Sequence, residues 1–272
     1  RQGTRGVNSL NRKQQGELFA RLTSANSSIR NIRAEKTKLS SPQVNLSNNE
    51  LFDHFVKDVD WKPLQNHGLN DTQIALNKED MDWPMQVRSY LNLVKDLDLD
   101  GKRIVDLGCG YGRGVDTIAK YHNVSITGID NNSQFIDYAR LTYPNRRYLA
   151  QDNLNDYDFI LMNCSAHLLF ETGFFDTKYD SKLIVTDFFD RQSINDFKDA
   201  VEKHYVIELE QDQTLQTAEA MEYDIATIDS RFKEVVPFEA INCFRDIQQS
   251  RLHLFRMKAQ RQYKYVLHPK KD

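Results

Sequence analysis

The chain has 272 residues and a mass of 31.8 kDa, enough for one large domain or one domain with an appendage. Its net charge of −3 argues against nucleic acid as a partner for the whole molecule, and its three widely spaced cysteines argue against a disulfide framework or a metal site. The sequence shows neither a membrane-spanning apolar run nor a signal peptide, so we expect a cytoplasmic protein that does not bind membranes.

The first 40 residues are strongly basic, with nine Lys or Arg against two Glu. Apolar residues at helical spacing predict a short amphipathic helix over residues 9–22, and a polar linker follows over residues 23–50. Such an arm is most simply a solvated tail. A nucleic-acid arm is disfavoured because no aromatic residues are interleaved to stack on bases.

The next segment is predicted to be helical. Apolar positions recur at helical spacing over residues 48–66, and a second helix should run from Trp83 to Val94 into the core. Trp83, Met85 and Tyr90 lie at helical spacing, which is typical of core packing. The alternative is that these three residues line a lid over a ligand.

The most informative stretch begins at Arg103 and reads RIVDLGCGYGRG. It predicts a buried strand, a tight glycine turn and a helix over residues 115–121. The dinucleotide-binding pattern G-x-G-x-x-G fails here, because Arg113 stands at the third glycine position. Asp106 would also repel a pyrophosphate but suits a cationic ligand, so a nicotinamide oxidoreductase is disfavoured.

Two further predicted strands end in acids. Residues 124–130 end at Asp130, 20 residues after Gly110, which is the distance at which nucleoside-binding units place a ribose carboxylate. A helix over residues 131–140 follows, with Asn or Ser available to cap it. The third strand begins at Arg147 and is predicted to end in Asp152. The plain alternative for both acids is a turn residue or a helix cap.

The fourth and fifth predicted strands carry the candidate chemistry. Residues 157–167 place Asn163, Cys164, Ser165 and His167 at one carboxyl end. A histidine there can accept a proton near neutral pH, although a lone histidine is more often structural. Strand five covers residues 182–189 and contains an acid at position 187.

Several of these stretches resemble known families. The acid and glycines from Asp106 to Gly112 resemble motif I of the class I S-adenosylmethionine-dependent methyltransferases. Residues 163–167, 182–189 and 224–231 are similar to small-molecule O-methyltransferases that act on polyketides and deoxysugars. Residues 263–270 resemble the closing edge strand of those enzymes. The similarity covers residues 60–270, but residues 170–181 lack the family's L-x-P-G-G turn.

The resemblance implies an α/β, Rossmann-like doubly wound fold, with a mostly parallel seven-stranded sheet whose last strand is antiparallel. It also implies S-adenosyl-L-methionine as the cofactor, with Asp130 on the ribose, Asp152 on the adenine amine and the backbone N–H of Asn153 on the adenine ring. His167 would act as the general base, oriented by Asp187, and no metal is expected. The full set of cofactor-binding residues implied is Asp106, Gly108, Cys109, Gly110, Gly112, Asp130, Asn131, Asp152, Asn153 and Asn163.

After strand five, we predict a helix over residues 193–203, a strand over residues 205–210 and long helices over residues 214–235 and 238–260. The resemblance implies that the two long helices cap the acceptor pocket. A basic run there is either a solvated face or a surface for an acidic carrier domain or a phosphate. Its members are Arg251, Arg256, Lys258, Arg261 and Lys264.

The predicted domains are a basic helix and linker over residues 1–47, a helical lid over residues 48–100 and a methyltransferase core over residues 101–272. The implied activity is methyl transfer to a hydroxyl oxygen of a polyketide-like intermediate, either free or tethered to an acyl carrier protein. The first residue is not Met, and residues 9–22 resemble linkers of polyketide and peptide megasynthases, which suggests a domain excised from such an assembly line. N- or C-methylation and a non-catalytic scaffold remain alternatives.

Overall fold

The computed structural model describes residues 66–170, 172–232 and 238–271. The predicted helix over residues 9–22 and the linker after it lie outside the described residues, as does all but the last residue of the predicted helix over residues 48–66. Among the helices of the described part, none is both long enough and apolar enough to cross a bilayer.

Seven strands form one sheet in the order β3-β2-β1-β4-β5-β7-β6. Strands β1 to β5 pair in parallel, whereas β7 pairs antiparallel with both β5 and β6. The predicted α/β fold with an antiparallel last strand is therefore confirmed. The strands are β1 Ile104–Leu107, β2 Ile126–Ile129, β3 Arg147–Leu149, β4 Phe159–Asn163, β5 Lys182–Phe189, β6 Tyr205–Asp212 and β7 Arg261–Pro269.

Three strand predictions need correction. The last strand is not an edge strand, because β7 lies between β5 and β6 and its residues 262–267 are all buried. Strand β3 ends three residues before Asp152, whose side chain instead accepts hydrogen bonds in the following turn. Strand β4 ends before His167, because Cys164 takes a left-handed backbone conformation with φ 58° that breaks the extended run.

The helices begin and end at recognisable signals. Asn132 caps its helix by accepting a hydrogen bond from the Gln134 N–H, and Asp190 forms a capping box with Ser193. The last helix ends before Lys258, whose φ of 55° stops it four residues short of the predicted boundary. The helices are α1 Pro84–Val94, α2 Arg113–His122, α3 Ser133–Thr142, α4 Ala166–Phe170, α5 Arg191–Val201, α6 Thr214–Phe232 and α7 Phe238–Arg256.

Apolar clusters cover both faces of the sheet. Successive residues of β1 point to opposite faces, so Ile104 packs in one cluster and Val105 in the other. Trp83 and Tyr90 of the segment around α1 belong to the first cluster, which confirms core packing for them. Since β1 to β5 are parallel, their carboxyl ends meet along one edge of the sheet, and the candidate residues lie there.

Candidate active site

The centre of the site is the buried carboxylate of Asp106 near the end of β1. Its side chain is fully buried, and within the described residues no positively charged side chain pairs with its carboxylate. Burial, the largest influence, raises the pKa of Asp106, a hydrogen bond from the Tyr90 hydroxyl lowers it, and the negative charge of Asp130 raises it. The net result is a pKa of about 7. A buried carboxylate of this kind fits a cationic group, such as the α-ammonium group of S-adenosylmethionine, because attraction between charges is strong away from water.

The backbone of the glycine turn is largely engaged within the protein. The N–H groups of Gly108 and Cys109 both donate to the Ile129 carbonyl, at 2.8 and 3.0 Å. The Gly110 N–H donates to the Asp130 carboxylate at 2.9 Å. A pyrophosphate site needs such N–H groups for the ligand. The N–H groups of Gly108, Cys109 and Gly110 already donate to protein acceptors, which argues against a dinucleotide on this turn.

The glycines make room for protein side chains. Gly108 has a φ of 82°, and a Cβ there would lie 2.6 Å from the Cβ of Ser165, whose hydroxyl donates to the Leu107 carbonyl. A Cβ on Gly112 would collide with the Tyr148 ring at 2.7 Å. At these two positions the lack of a Cβ lets neighbouring elements pack on the turn. Cofactor contacts by Gly108 and Gly112 stay predictions.

A Gly108→Ala substitution should therefore destabilise the protein strongly. The left-handed backbone and the overlap with Ser165 together should cost about 2–5 kcal/mol of unfolding free energy. Gly101 is a matched control, because it also has a positive φ of 64° but its Cβ would have open space. Urea denaturation of Gly101→Ala should show only about 1–2 kcal/mol of loss. Equal losses in the two variants would contradict the packing role of Gly108.

Asp130 is held in one orientation after β2. One carboxylate oxygen accepts from the Gly110 N–H and the other from the Asn132 N–H, both at 2.9 Å. Burial raises the pKa of Asp130. The side chain is half-buried at the edge where ligands bind in this fold, whereas Asn131 is exposed. Ribose binding by Asp130 and a cofactor contact by Asn131 stay predictions.

Asp152 and Asn153 lie in the turn after β3. The Asp152 carboxylate accepts from the Tyr157 hydroxyl at 2.7 Å and from the Asn153 N–H at 2.9 Å. The Tyr157 hydrogen bond and then the Asn153 N–H lower the pKa of Asp152. The adenine contacts predicted for these two residues would compete with their own hydrogen bond, and they stay predictions.

Two other predicted cofactor residues are buried. Asn163, the last residue of β4, exchanges hydrogen bonds with Ser89 of α1 at 3.3 and 3.4 Å. The thiol of Cys109 lies against β2, where a Cβ on Gly128 would be 2.8 Å from the sulfur. Burial raises the pKa of the Cys109 thiol. Any cofactor contact by Cys109 would thus come from its backbone carbonyl, since its N–H donates to Ile129.

The structure brings His167 and Asp187 together. Nδ1 of His167 lies 3.0 and 3.1 Å from the two carboxylate oxygens of Asp187, and the His167 backbone N–H donates to the same carboxylate at 2.9 Å. Asp187 is fully buried in β5, whereas the His167 side chain is 34% exposed on α4. An imidazole held in this way at Nδ1 presents Nε2 as its basic nitrogen.

Sequence reasoning missed several neighbours of His167. The Phe188 ring lies between two imidazoles, with ring centroids 4.7 Å from His167 and 4.9 Å from His67. His67 belongs to a loop that carries no catalytic motif, so only the tertiary structure identifies it. Gln262 of β7 reaches the same area, since its amide Nε2 donates to the Cys164 sulfur at 3.9 Å.

Comparison with known proteins agrees with the fold. Residues 104–204 match the family model described as a methyltransferase domain. A 96-residue segment is 34% identical to phthiotriol/phenolphthiotriol dimycocerosates methyltransferase of Mycobacterium tuberculosis, and covers 29% of this chain and 36% of that protein. A 43-residue segment is 49% identical to an O-methyltransferase of Pyrenophora dematioidea, and covers 16% of each chain. The matched segments thus span well under two thirds of these curated relatives.

Among solved structures, the cyclopropane synthase MmaA2 from Mycobacterium tuberculosis has the same fold, with a TM-score of 0.58 and 15% identity. The alignment covers 86% of this chain and 100% of that one. Residues 104–204 thus match a methyltransferase domain, and they lie within a sheet of the same fold as that structure. The buried carboxylate of Asp106 fits the ammonium group of S-adenosylmethionine, the cofactor that the sequence resemblance implies.

The pKa of Asp106 predicts how cofactor binding depends on pH. Below pH about 7 the free protein holds a proton on Asp106, which must leave before a cationic ammonium group can pair with the carboxylate. The affinity for S-adenosylhomocysteine should therefore fall by up to about tenfold per pH unit below 7 and level off above it. Calorimetry between pH 5.5 and 8.5 checks this. Asp106→Asn should remove the dependence, whereas Asp116→Asn on α2 should keep it.

Proposed function

We propose that this domain transfers a methyl group from S-adenosylmethionine to a hydroxyl oxygen of a small-molecule acceptor, with His167 as the general base. The observation that carries the proposal is the pairing of His167 Nδ1 with the buried Asp187 carboxylate at 3.0 Å. This pairing fixes the tautomer in which Nε2 is unprotonated and can accept a proton. A hydroxyl is a poor nucleophile unless its proton is removed as the new bond forms, so a base near the acceptor has a clear task.

The remaining residues divide into a cofactor side and an acceptor side. When bound, S-adenosylmethionine supplies an electrophilic methyl group. Asp106 would pair with its ammonium group, and Asp130 would accept hydrogen bonds from the ribose hydroxyls. Asp152, Asn153 and Asn163 are proposed to complete the cofactor side. The positive charge that forms on His167 as it takes the proton would be stabilised by Asp187.

The acceptor is proposed to be a polyketide-like natural-product intermediate, either free or tethered to an acyl carrier protein. The O-methyltransferase of Pyrenophora dematioidea supports oxygen as the acceptor atom, and the phthiotriol methyltransferase supports a lipid-like or polyketide-like acceptor. The resemblance of residues 9–22 to linkers of megasynthases supports an acceptor that is presented on a carrier protein. N- and C-methylation differ from this proposal in the acceptor atom and are separated from it by experiment.

The test is turnover with methyl-labelled S-adenosylmethionine on a matched panel of acceptors. Each scaffold is offered as alcohol, amine and activated carbon acid, both free and loaded on an acyl carrier protein. We expect label to be transferred to the alcohol, with mass spectrometry locating it on oxygen. Transfer to nitrogen or carbon alone would overturn O-methylation. Tight binding of S-adenosylhomocysteine without turnover on any acceptor would favour a non-catalytic scaffold.

A further inference from the structure

The basic run predicted on α7 and β7 does not form one solvated face. Arg256 is exposed and pairs with Glu222 of α6, whereas the Lys264 side chain is buried and donates to the Asn92 carbonyl at 2.6 Å. Arg251 is half-buried and lies on α7 four residues before Phe255, so the two residues share one face of the helix. The Phe255 ring in turn contacts His67, with ring centroids 5.8 Å apart.

Arg251 thus belongs to the acceptor side of the site. Burial lowers the pKa of His67 and raises the pKa of Cys164, and the positive charge of Arg251 makes a smaller, lowering contribution to both. Burial likewise lowers the pKa of Arg251 itself. Within the described residues, the structure gives this guanidinium no carboxylate partner, in contrast to Arg256 and Arg231, which pair with Glu222 and Asp224.

His67 and Gln262 are two buried polar residues near Arg251. The Gln262 side chain is close enough to His67 to raise its pKa by hydrogen bonding, but neither Nδ1 of His67 nor Oε1 of Gln262 has a partner with ordinary hydrogen-bond geometry within the described part of the chain. Both residues are more than nine-tenths buried. A half-buried cation without a counter-ion and buried polar groups with poor hydrogen-bond geometry are each costly, unless a ligand supplies the missing charge and hydrogen bonds.

The surroundings of this group are apolar. Phe188, Phe255 and Leu252 pack with Ala218 and Met221 where α6 and α7 meet. Phe188 also contacts His167, so this apolar wall continues to the proposed base. A ligand with an anionic end and an apolar body would satisfy Arg251 and extend along the wall towards His167.

We propose that Arg251, assisted by His67, binds an oxyanion group of the acceptor, a carboxylate or a phosphate, while the acceptor hydroxyl lies at His167. The guanidinium fork matches both oxyanions, because it donates two parallel hydrogen bonds. This inference rests on the proposed function for the identity of the ligand as the acceptor. It narrows the acceptor to amphiphilic hydroxy acids or their phosphate counterparts.

Calorimetric titration of the protein with hexanoate, hexyl phosphate and neutral hexanol tests the oxyanion site. Wild type should bind at least one anion more tightly than hexanol, and the ratio of hexanoate to hexyl phosphate affinity identifies the preferred oxyanion. Arg251→Gln should weaken that binding about tenfold or more, since a hydrogen-bonded charge is lost. Arg256→Gln is the matched control on the same helix and should leave anion binding unchanged. Thermal melting verifies that both variants fold.

The wild-type preference for anion over alcohol tests the proposal even if Arg251→Gln fails to fold. Equal affinity for hexanol and both anions, no binding by any of the three, or unchanged anion binding in folded Arg251→Gln would each overturn it. Because these titrations contain no nucleoside, they are independent of the cofactor site. If the wild-type protein does not bind S-adenosylhomocysteine, the proposed function is wrong, but the preference for anions over hexanol can still be observed.

Discussion

Replacing His167 by Ala is expected to lower kcat for methyl transfer by about 10²–10⁴-fold, the range that a positioned general base contributes. Binding of S-adenosylhomocysteine should stay close to wild type, because His167 lies on α4 on the proposed acceptor side of the site. Single-turnover assays with labelled S-adenosylmethionine measure the first effect, and calorimetry measures the second. This combination separates a chemical role for the imidazole from a role in cofactor binding.

Two further variants make the His167 experiment specific. His253→Ala removes an exposed imidazole from α7 and should leave kcat unchanged. Asp187→Asn keeps the shape of the orienting side chain but can hold the wrong imidazole tautomer, so it should lower kcat and alter the pH profile without changing cofactor affinity. If His167→Ala keeps kcat within about threefold of wild type, the general-base role in methyl transfer is wrong.

The glycine turn and the strands flanking it were predictable because their signals are local. The acid, the glycines and the apolar run around β1 occupy consecutive positions, and β5 begins and ends at the predicted residues. Parallel strand order then brings the end of β4 near β5, which accounts for the pairing of His167 with Asp187. Their roles in catalysis stay predictions.

Features set by distant parts of the chain could not be predicted. The position of β7 between β5 and β6 depends on pairing across the two long helices α6 and α7, and β7 resembles an edge strand in sequence. The space-making role of Gly108 depends on Ser165, which is 57 positions later. His67 and Arg251 come from a loop and a helix far apart in sequence, so no motif could have joined them.

Replacing Asp130 should have a second large effect, on cofactor affinity, because its carboxylate has two roles. It fixes the glycine turn through the Gly110 N–H at 2.9 Å, and it is proposed to accept hydrogen bonds from the ribose. Asp130→Ala should weaken S-adenosylhomocysteine binding about hundredfold, since hydrogen bonds to a charged acceptor each contribute about 1.5–3 kcal/mol. Calorimetry measures the loss, with NADH titrated alongside and expected not to bind.

The control for Asp130 is Asp137→Ala, which removes an exposed carboxylate from α3 and should leave affinity unchanged. Asp130→Asn separates the two tasks, because its amide oxygen can still accept the Gly110 N–H while the negative charge is lost. Intermediate affinity in Asp130→Asn would assign part of the effect to the turn and part to the ribose contact. If Asp130→Ala binds S-adenosylhomocysteine within about threefold of wild type, Asp130 is not part of the cofactor site. If the wild-type protein prefers NADH, the N–H groups of the glycine turn do not exclude a dinucleotide, and that argument is wrong.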